Sequence, residues 1–205
     1  DLGHPKQLGN SILVISIIST EGELLAYWKF TQARDETMRL ETLKSAAPLV
    51  KAFIQGAKNP PESLVVYRDG KIFERDGLIE FVEMLGLKVS VLEIIKSPAL
   101  WILNEEEPAP PGVVIELVAD KEALIQTSKP TVNEHVSIPM RVRLVVNQHE
   151  LPIKDFLVGL FGLSHAPILG LKSSRLPSPI YWSNGLAKES GKSVQFRGLH
   201  HVHHN

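Results

Sequence analysis

The order of strand-like and helix-like segments predicts a mixed α/β protein, in which one sheet with an antiparallel start is flanked by helices. Three observations support this fold class. A nearly continuous β-branched run at residues 11–18 is followed, after a Glu-Gly turn, by a second apolar segment at residues 23–30. An amphipathic stripe comes next, and helical and extended patterns then alternate along the chain.

Each element follows from its own apolar pattern. Leu40, Leu43, Ala47, Val50 and Ile54 recur at three- and four-residue steps, which places them on one face of a helix. In chain order we predict strands at residues 11–18 and 23–30, a helix from residue 40 that the Asn-Pro-Pro at residues 59–61 ends, a strand at 63–67, a helix at 74–85 capped by Gly86, strands at 88–95, 99–103, 113–118 and 141–146, and helices at 153–164 and 179–189.

Composition excludes several classes of function. The 205 residues include no cysteine, which excludes disulfides, thiolate metal sites, iron–sulfur clusters and cysteine nucleophiles. The longest apolar run covers residues 12–18, well short of the ~18 residues that a membrane span needs. We therefore expect a cytoplasmic protein without a membrane segment.

The charge is balanced overall but distributed unevenly. With 22 Lys and Arg against 23 Asp and Glu, no global basic field marks the chain as a nucleic-acid binder. Residues 1–120 carry 12 basic and 18 acidic side chains, a net of −6, and residues 121–205 carry 10 and 5, a net of +5. This asymmetry is compatible with an acidic metal site in one part and a polyanion-facing surface in the other, although scattered surface charge is the simpler explanation.

Four short motifs combine residue types that can carry chemistry. They are Asp-Leu-Gly-His-Pro at residues 1–5, Tyr-Arg-Asp-Gly at 67–70, Thr-Ser-Lys-Pro at 127–130, and Pro-Ile-Tyr-Trp-Ser-Asn-Gly-Leu-Ala at 179–187. Ligands bind at the carboxyl ends of strands in open α/β sheets, so Asp69 at the end of a buried strand is a candidate site residue. An Asp-Gly pair after a strand is more commonly only a turn.

Taken together, the four motifs resemble the Piwi domain of Argonaute proteins of prokaryotic type, a nuclease of RNase H-like fold. The segment around Asp69 is the most specific match, and the motifs occur in the family's order over nearly the whole chain. The resemblance implies an RNase H-like mixed sheet flanked by helices over residues 1–205. The family places its first catalytic aspartate on a central strand, whereas Asp1 is the first residue of this sequence. We therefore expect this sequence to be a fragment of a longer Argonaute, without its N, PAZ and Mid domains.

The resemblance also implies a catalytic site for two divalent cations, Mg²⁺ or Mn²⁺, held by Asp1, Asp69 and Asn184. The family adds a glutamate between the two aspartates, for which Glu41 is preferred and Glu36 is the alternative. Either glutamate could equally be a first-turn acid favoured by the helix dipole. Asn184 stands where Asp or His is more usual, and its amide oxygen can bind a metal but brings no charge. Two such ions ~4 Å apart activate water and neutralise phosphate charge.

Basic side chains in the second half of the chain are candidates for contacts with backbone phosphates, which provide affinity without reading sequence. Each one, taken alone, is more commonly a solvated surface charge. The candidates are Lys129, Arg141, Arg143, Lys172, Arg175 and Lys188.

Three functions remain open. The leading hypothesis is a guide-directed, metal-dependent endonuclease that cuts the strand paired to its guide, with guide and target nucleic acids as partners. The main alternative is a catalytically inactive Argonaute-like module that binds guide and target and recruits a partner effector. A third is an RNase H-like nuclease or resolvase that acts on structured DNA without a guide.

Overall fold

The computed structural model describes residues 2–3, 10–35, 37–104, 107–129, 138–166 and 175–190, and it confirms the mixed α/β class. The strands are β1 (Leu2–Gly3), β2 (Asn10–Ile18), β3 (Leu24–Ala33), β4 (Ser63–Asp69), β5 (Lys88–Ile95), β6 (Leu103–Asn104), β7 (Glu107–Pro108), β8 (Val114–Val118), β9 (Glu122–Ile125) and β10 (Met140–Asn147). The helices are α1 (Leu40–Gly56), α2 (Arg75–Leu85), α3 (Ile153–His165) and α4 (Ser178–Ser190).

The predicted hairpin forms a three-stranded antiparallel sheet in the order β1-β2-β3. β2 pairs with β3 from Asn10↔Ala33 to Ile18↔Leu24, and β1 adds two pairs on the other edge of β2. The β-branched residues of β2 suit this position, because they pack well on a pleated surface that is covered by other elements.

The second sheet has five strands in the order β4-β5-β10-β9-β8. β4 and β5 are parallel and are connected through α2, while the remaining neighbours are antiparallel. Parallel strands end at the same edge of a sheet, so the carboxyl ends of β4 and β5 lie side by side. This edge contains the candidate site.

One hydrophobic core joins the hairpin to the five-stranded sheet. Helices α1 and α2 cover β2, β3 and one face of β5, and α3 covers the other face of β5 together with β9 and β10. β5 is therefore buried on both faces, and its polar residues Ser90 and Glu93 are buried with the apolar ones. None of the helices in the described part of the chain combines the length and apolar character that crossing a bilayer requires.

Helix α4 packs against β1, β2 and β4. Its position depends on the turn between β2 and β3, where the Gly22 carbonyl accepts a hydrogen bond from Trp182 Nε1 at 3.3 Å. Gly22 has a φ of +92°, and a Cβ there would lie 2.5 Å from the Ala166 Cβ. Only glycine permits this close approach to the end of α3, and the turn also contacts Ser178 at the start of α4.

The two-residue strands β1 and β7 were not predicted, and two larger differences separate the sequence prediction from the structure. The strand predicted at residues 99–103 is wrong, since only Leu103 and Asn104 are extended there and Leu100 and Trp101 are 43% and 56% exposed. Strand β9 was missed, since no element is predicted between the strands at 113–118 and 141–146. It contains only three apolar residues and begins with Glu122, whose burial depends on pairing with Arg141 from the neighbouring strand.

Candidate functional site

The carboxylate of Asp69 lies at the carboxyl edge of β4. Asp69 is the last residue of that strand, and Gly70 follows it with a φ of +84°. The Gly70 N–H donates to the Ile94 carbonyl on β5 at 2.8 Å, so the backbone turns directly after the aspartate. Glycine adopts this left-handed conformation without strain, and it fixes Asp69 at the sheet edge.

Lys96 provides the cation that faces this carboxylate. Its Nζ lies 2.6 Å from Asp69 Oδ2, with the lysine side chain 29% exposed and the aspartate side chain 7% exposed. Lys96 follows the end of β5 by one residue, and the parallel register places Asp69 opposite Ile94. A carboxylate this deeply buried requires a charged or hydrogen-bonding partner, and the partner here is on the solvent side.

Two further segments meet at the same edge. Arg175 Nη1 donates to the carbonyl oxygens of Lys96 at 2.9 Å and Ile138 at 3.4 Å. The Arg175 carbonyl in turn accepts a hydrogen bond from Thr127 Oγ1 at 2.6 Å. We refer to Asp69, Lys96, Thr127 and Arg175 as the strand-end cluster, because it joins the end of β5 to the loops after β9 and before α4.

A second ion pair supports the backbone of Asp69. Arg68 Nε lies 2.9 Å from Glu74 Oε1, and the two side chains are almost fully buried. Arg68 Nη1 also donates to the Asp69 carbonyl oxygen. The pair holds the connection from β4 to α2, so Arg68 and Glu74 are structural residues behind the site.

Tyr67 lies two residues before Asp69 on the same strand. Burial raises the pKa of its phenol to about 12. The phenol therefore stays protonated at neutral pH and adds no charge to the sheet edge.

The structure describes three of the predicted catalytic and metal-binding residues. Asp69 is in the strand-end cluster, Asn184 is half-buried on α4, and Glu41 is exposed in the first turn of α1. The elements that carry Asp69 and Asn184, β4 and α4, pack against each other. Asp1 lies outside the described residues, and so does the alternative glutamate, Glu36.

The position of Glu41 follows from the contact between two helix starts. Gly77 in the first turn of α2 faces Leu40 and Leu43 in the first turn of α1. Because α2 begins soon after Asp69, the start of α1 is at the same end of the sheet as the site. Within the described ranges, however, no three His, Asp or Glu side chains converge into a metal-binding group.

The predicted phosphate-binding residues fall into two groups. Lys129 and Lys188 are exposed. Arg141 and Arg143 extend from β10 to the buried carboxylates of Glu122 and Glu93, with nitrogen–oxygen distances of 2.6 and 2.7 Å. Arg175 directs its guanidinium to backbone carbonyl groups, as described above, and Lys172 lies outside the described residues.

Sequence reasoning missed Lys96. A basic residue directly after a buried strand is a weak signal, because its partner is known only once β4 and β5 are aligned as parallel neighbours. The signal that could have found it is that two residues of opposite charge lie at the carboxyl ends of neighbouring strands: Asp69 ends β4, and Lys96 follows the end of β5.

Two of the predicted metal-binding residues carry oxygen donors of the kind that a hard divalent cation prefers. Asp69 and Asn184 offer carboxylate and amide oxygens, which Mg²⁺ and Mn²⁺ prefer. The Lys96 ammonium group already lies 2.6 Å from Asp69 Oδ2, which shows that a positive charge is stabilised at this oxygen.

The fold is similar to those of Argonaute proteins of known structure. The Argonaute of Aquifex aeolicus matches with a TM-score of 0.71 at 19% identity, over 95% of this chain and 28% of its own. The Argonaute of Clostridium butyricum bound to a guide DNA and a 19-mer target DNA has a TM-score of 0.74 at 20% identity, over 94% of this chain and 26% of its own. The Argonaute of Marinitoga piezophila in complex with a 5′ OH guide RNA and target DNA has a TM-score of 0.69 at 18% identity, over 91% of this chain and 28% of its own.

These likenesses concern the fold, and the chain spans 26–28% of the length of those Argonautes. No protein-family model matches the chain, and no curated protein sequence matches it either.

Proposed function

We propose that this chain is the Piwi part of an Argonaute-type protein, that it binds a guide paired to its target, and that it cleaves the target strand with divalent metal ions. One observation carries the proposal: the side chain of Asp69, a carboxylate only 7% exposed, lies at the carboxyl edge of β4, where the parallel strands β4 and β5 end together. It is supported by the fold, which is shared with Argonautes solved in complex with guide and target nucleic acids.

Asp1, Asp69 and Asn184 would hold the cations, and Glu41 would complete the set from the start of α1. Two Mg²⁺ or Mn²⁺ ions, once bound, supply the activated water and the charge neutralisation that phosphodiester hydrolysis needs. Asp69 is positioned for this role by the turn at Gly70 and by the Arg68 side chain on its backbone carbonyl. Asn184 would be brought toward Asp69 by α4, which packs against β4.

Three lysines would contact the nucleic-acid backbone. Lys129 follows Thr127 by two residues, and the hydrogen bond from Thr127 to Arg175 anchors that segment at the sheet edge. Lys188 is exposed on α4, the helix that carries Asn184, and Lys172 would add a third cation. Such contacts position a duplex without reading its sequence, so the choice of target would come from pairing with the guide.

A binding-only function is the second candidate, and two observations favour it. Asp69 is neutralised by Lys96 rather than exposed among other carboxylates. The residue at the fourth position, Asn184, brings an amide in place of a charged ligand. A site of this kind could retain guide and target and leave any further step to a partner effector.

Cleavage of a labelled target strand by the full-length protein, with a complementary 5′-phosphorylated guide and Mn²⁺, distinguishes the candidates. Guided cleavage that is lost in Asp69→Asn supports the nuclease. The matched control is Asp155→Asn, because Asp155 is an exposed acid in the first turn of α3. Tight binding of the duplex without cleavage by the wild type supports the binding module, and cleavage without a guide supports the guide-independent nuclease.

A further inference from the structure

Buried carboxylates in the described residues are held by two kinds of cation. The side chains of Glu74, Glu93 and Glu122 are between 3% and 10% exposed, and each is paired with an arginine. Asp69 is 7% exposed and is paired with a lysine. Arginine presents a rigid fork of donors, whereas lysine carries a compact charge on a flexible stem, so the two partners differ in how readily they can be replaced.

The geometry of the Asp69 pair allows its cation to leave. Lys96 lies beyond the end of β5, and its side chain is 29% exposed, so its ammonium group can reach solvent. Arg141 and Arg143 are more exposed, at 38% and 44%, so the contrast lies in the kind of donor and not in exposure. The Lys96 backbone is fixed by the hydrogen bond from Arg175 to its carbonyl oxygen, so only the side chain has to move. Glu122 illustrates the contrast, because Arg141 contacts Oε1 through both Nε and Nη2 from within the sheet.

We propose that Lys96 is a built-in counter-ion: its ammonium group occupies the Asp69 carboxylate until a divalent cation displaces it, and it thereby sets the metal concentration at which the site loads. This inference rests on the proposed metal-dependent function. An ammonium group and a divalent cation repel each other strongly when they share one carboxylate, so binding of the metal requires Lys96 to swing into solvent. The same lysine keeps the buried Asp69 compensated when no metal is bound.

Two measurements on the full-length protein without nucleic acid test the proposal. Mn²⁺ binding is titrated by electron paramagnetic resonance for the wild type and for Lys96→Met, which keeps the length of the stem and removes the charge. We expect Lys96→Met to lower the dissociation constant for Mn²⁺ by about tenfold, because the metal no longer competes with an ion pair. Lys154→Met, at an exposed position on α3, is the control and should not change it.

Thermal unfolding is the second measurement. Without metal, Lys96→Met should unfold at a lower temperature than the wild type because Asp69 is left without its cation, and added Mn²⁺ should remove most of the difference. If Lys96→Met does not fold without metal, the double variant Asp69→Asn/Lys96→Met replaces it in the unfolding comparison. That variant should recover the stability, since neither charge remains.

The outcomes separate this proposal from the proposed function. Equal Mn²⁺ affinity and equal metal-free stability of wild type and Lys96→Met, with binding weakened by Asp69→Asn, would overturn the counter-ion and leave the metal site in place. If Asp69→Asn does not change Mn²⁺ binding in either background, both proposals fail. Mn²⁺ binding by Lys96→Met but not by the wild type would support the counter-ion and favour the binding-only function.

Discussion

Two buried ion pairs in neighbouring parallel strands differ in what holds them. Glu93 Oε2 on β5 accepts hydrogen bonds from Arg143 Nη2 on β10 and from the Ile72 N–H, both at 2.7 Å. Asp69 Oδ2 at the end of β4 accepts one from Lys96 at 2.6 Å, and that lysine comes from a loop. Glu93 Oε2 is thus held by a side chain of the neighbouring strand and by a backbone N–H, whereas Asp69 Oδ2 faces the ammonium group of one flexible lysine side chain.

We interpret this difference as one between a carboxylate that stabilises the fold, Glu93, and a carboxylate that is available to a ligand, Asp69. Burying a carboxylate is costly in both cases, and each is compensated by a cation. At Glu93 the compensation ties three segments of the fold together. At Asp69 the partner is a single lysine from the loop after β5, and we propose that a divalent cation can replace it.

The largest expected effect is a difference in cleavage rate between variants of the two carboxylates. Asp69→Asn should lower guided cleavage by roughly 10³-fold or more, because a ligand of the reacting centre is lost. Glu93→Gln should leave cleavage within about threefold of wild type, once folded protein is compared, since Glu93 acts through the fold. Single-turnover cleavage rates with Mn²⁺ provide the measurement, and equal losses in the two variants would remove the distinction.

The second effect concerns stability. Glu93→Gln should lower the free energy of unfolding by about 2 kcal/mol, because it removes the charge from a buried oxygen that accepts hydrogen bonds from Ile72 N–H and Arg143 Nη2. Glu80→Gln is the matched control, since the Lys44–Glu80 pair is about half exposed on both sides, and such pairs contribute about 0–1 kcal/mol. Urea unfolding followed by circular dichroism measures both, and a loss at Glu80 as large as that at Glu93 would contradict the assignment.

The third effect tests the turn that positions Asp69. Gly70→Ala should cost about 1–2 kcal/mol, because an alanine in the left-handed region is strained even where space is available. The space is adequate here, since the nearest atom to an added Cβ is Arg68 Nη1 at 3.8 Å. Gly56→Ala, at a helical position with nothing within 4 Å, should be neutral or stabilising. Equal stability of the two variants would show that Gly70 is not required by its conformation.

The smallest expected effect is a pH dependence of stability that comes from His149. This residue lies near the opposite end of β5, and its Nδ1 is 2.6 Å from Ser90 Oγ. Burial and the nearby Lys88 lower the pKa of His149 below its usual 6.5. The unfolded chain therefore binds more protons than the folded one below about pH 6.5, so stability should be greatest above that pH and decline as the pH falls. Urea unfolding between pH 7.5 and 5.5 should show a smaller decline in His149→Gln than in wild type. An unchanged decline would exclude this contribution.

Much of the fold could be predicted because its signals are local. The β-branched run of β2, the helical spacing in α1 and the Asp-Gly end of β4 each lie within one short segment. β9 and Lys96 could not be found in the same way. The burial of Glu122 and the role of Lys96 depend on which strands become neighbours, and this information is not present in any one segment.

The candidate site shows the same division. Asp69 was predicted from its place at a strand end, and the structure carries Asn184 on a helix that packs against that strand. Arg141 and Arg143 were predicted to contact phosphates because they are basic. The sequence does not reveal that β9 and β5 present buried glutamates to them. Their role in nucleic-acid binding remains a prediction, as do the roles of Asp1, Glu41 and Lys172.

The most direct test of the central claim is the anomalous diffraction signal of Mn²⁺ in crystals of the full-length protein with guide and target. We predict a peak within about 2.5 Å of an Asp69 carboxylate oxygen, with the Lys96 ammonium group moved away from it. Manganese bound elsewhere, with the Lys96–Asp69 pair still closed, would contradict the account.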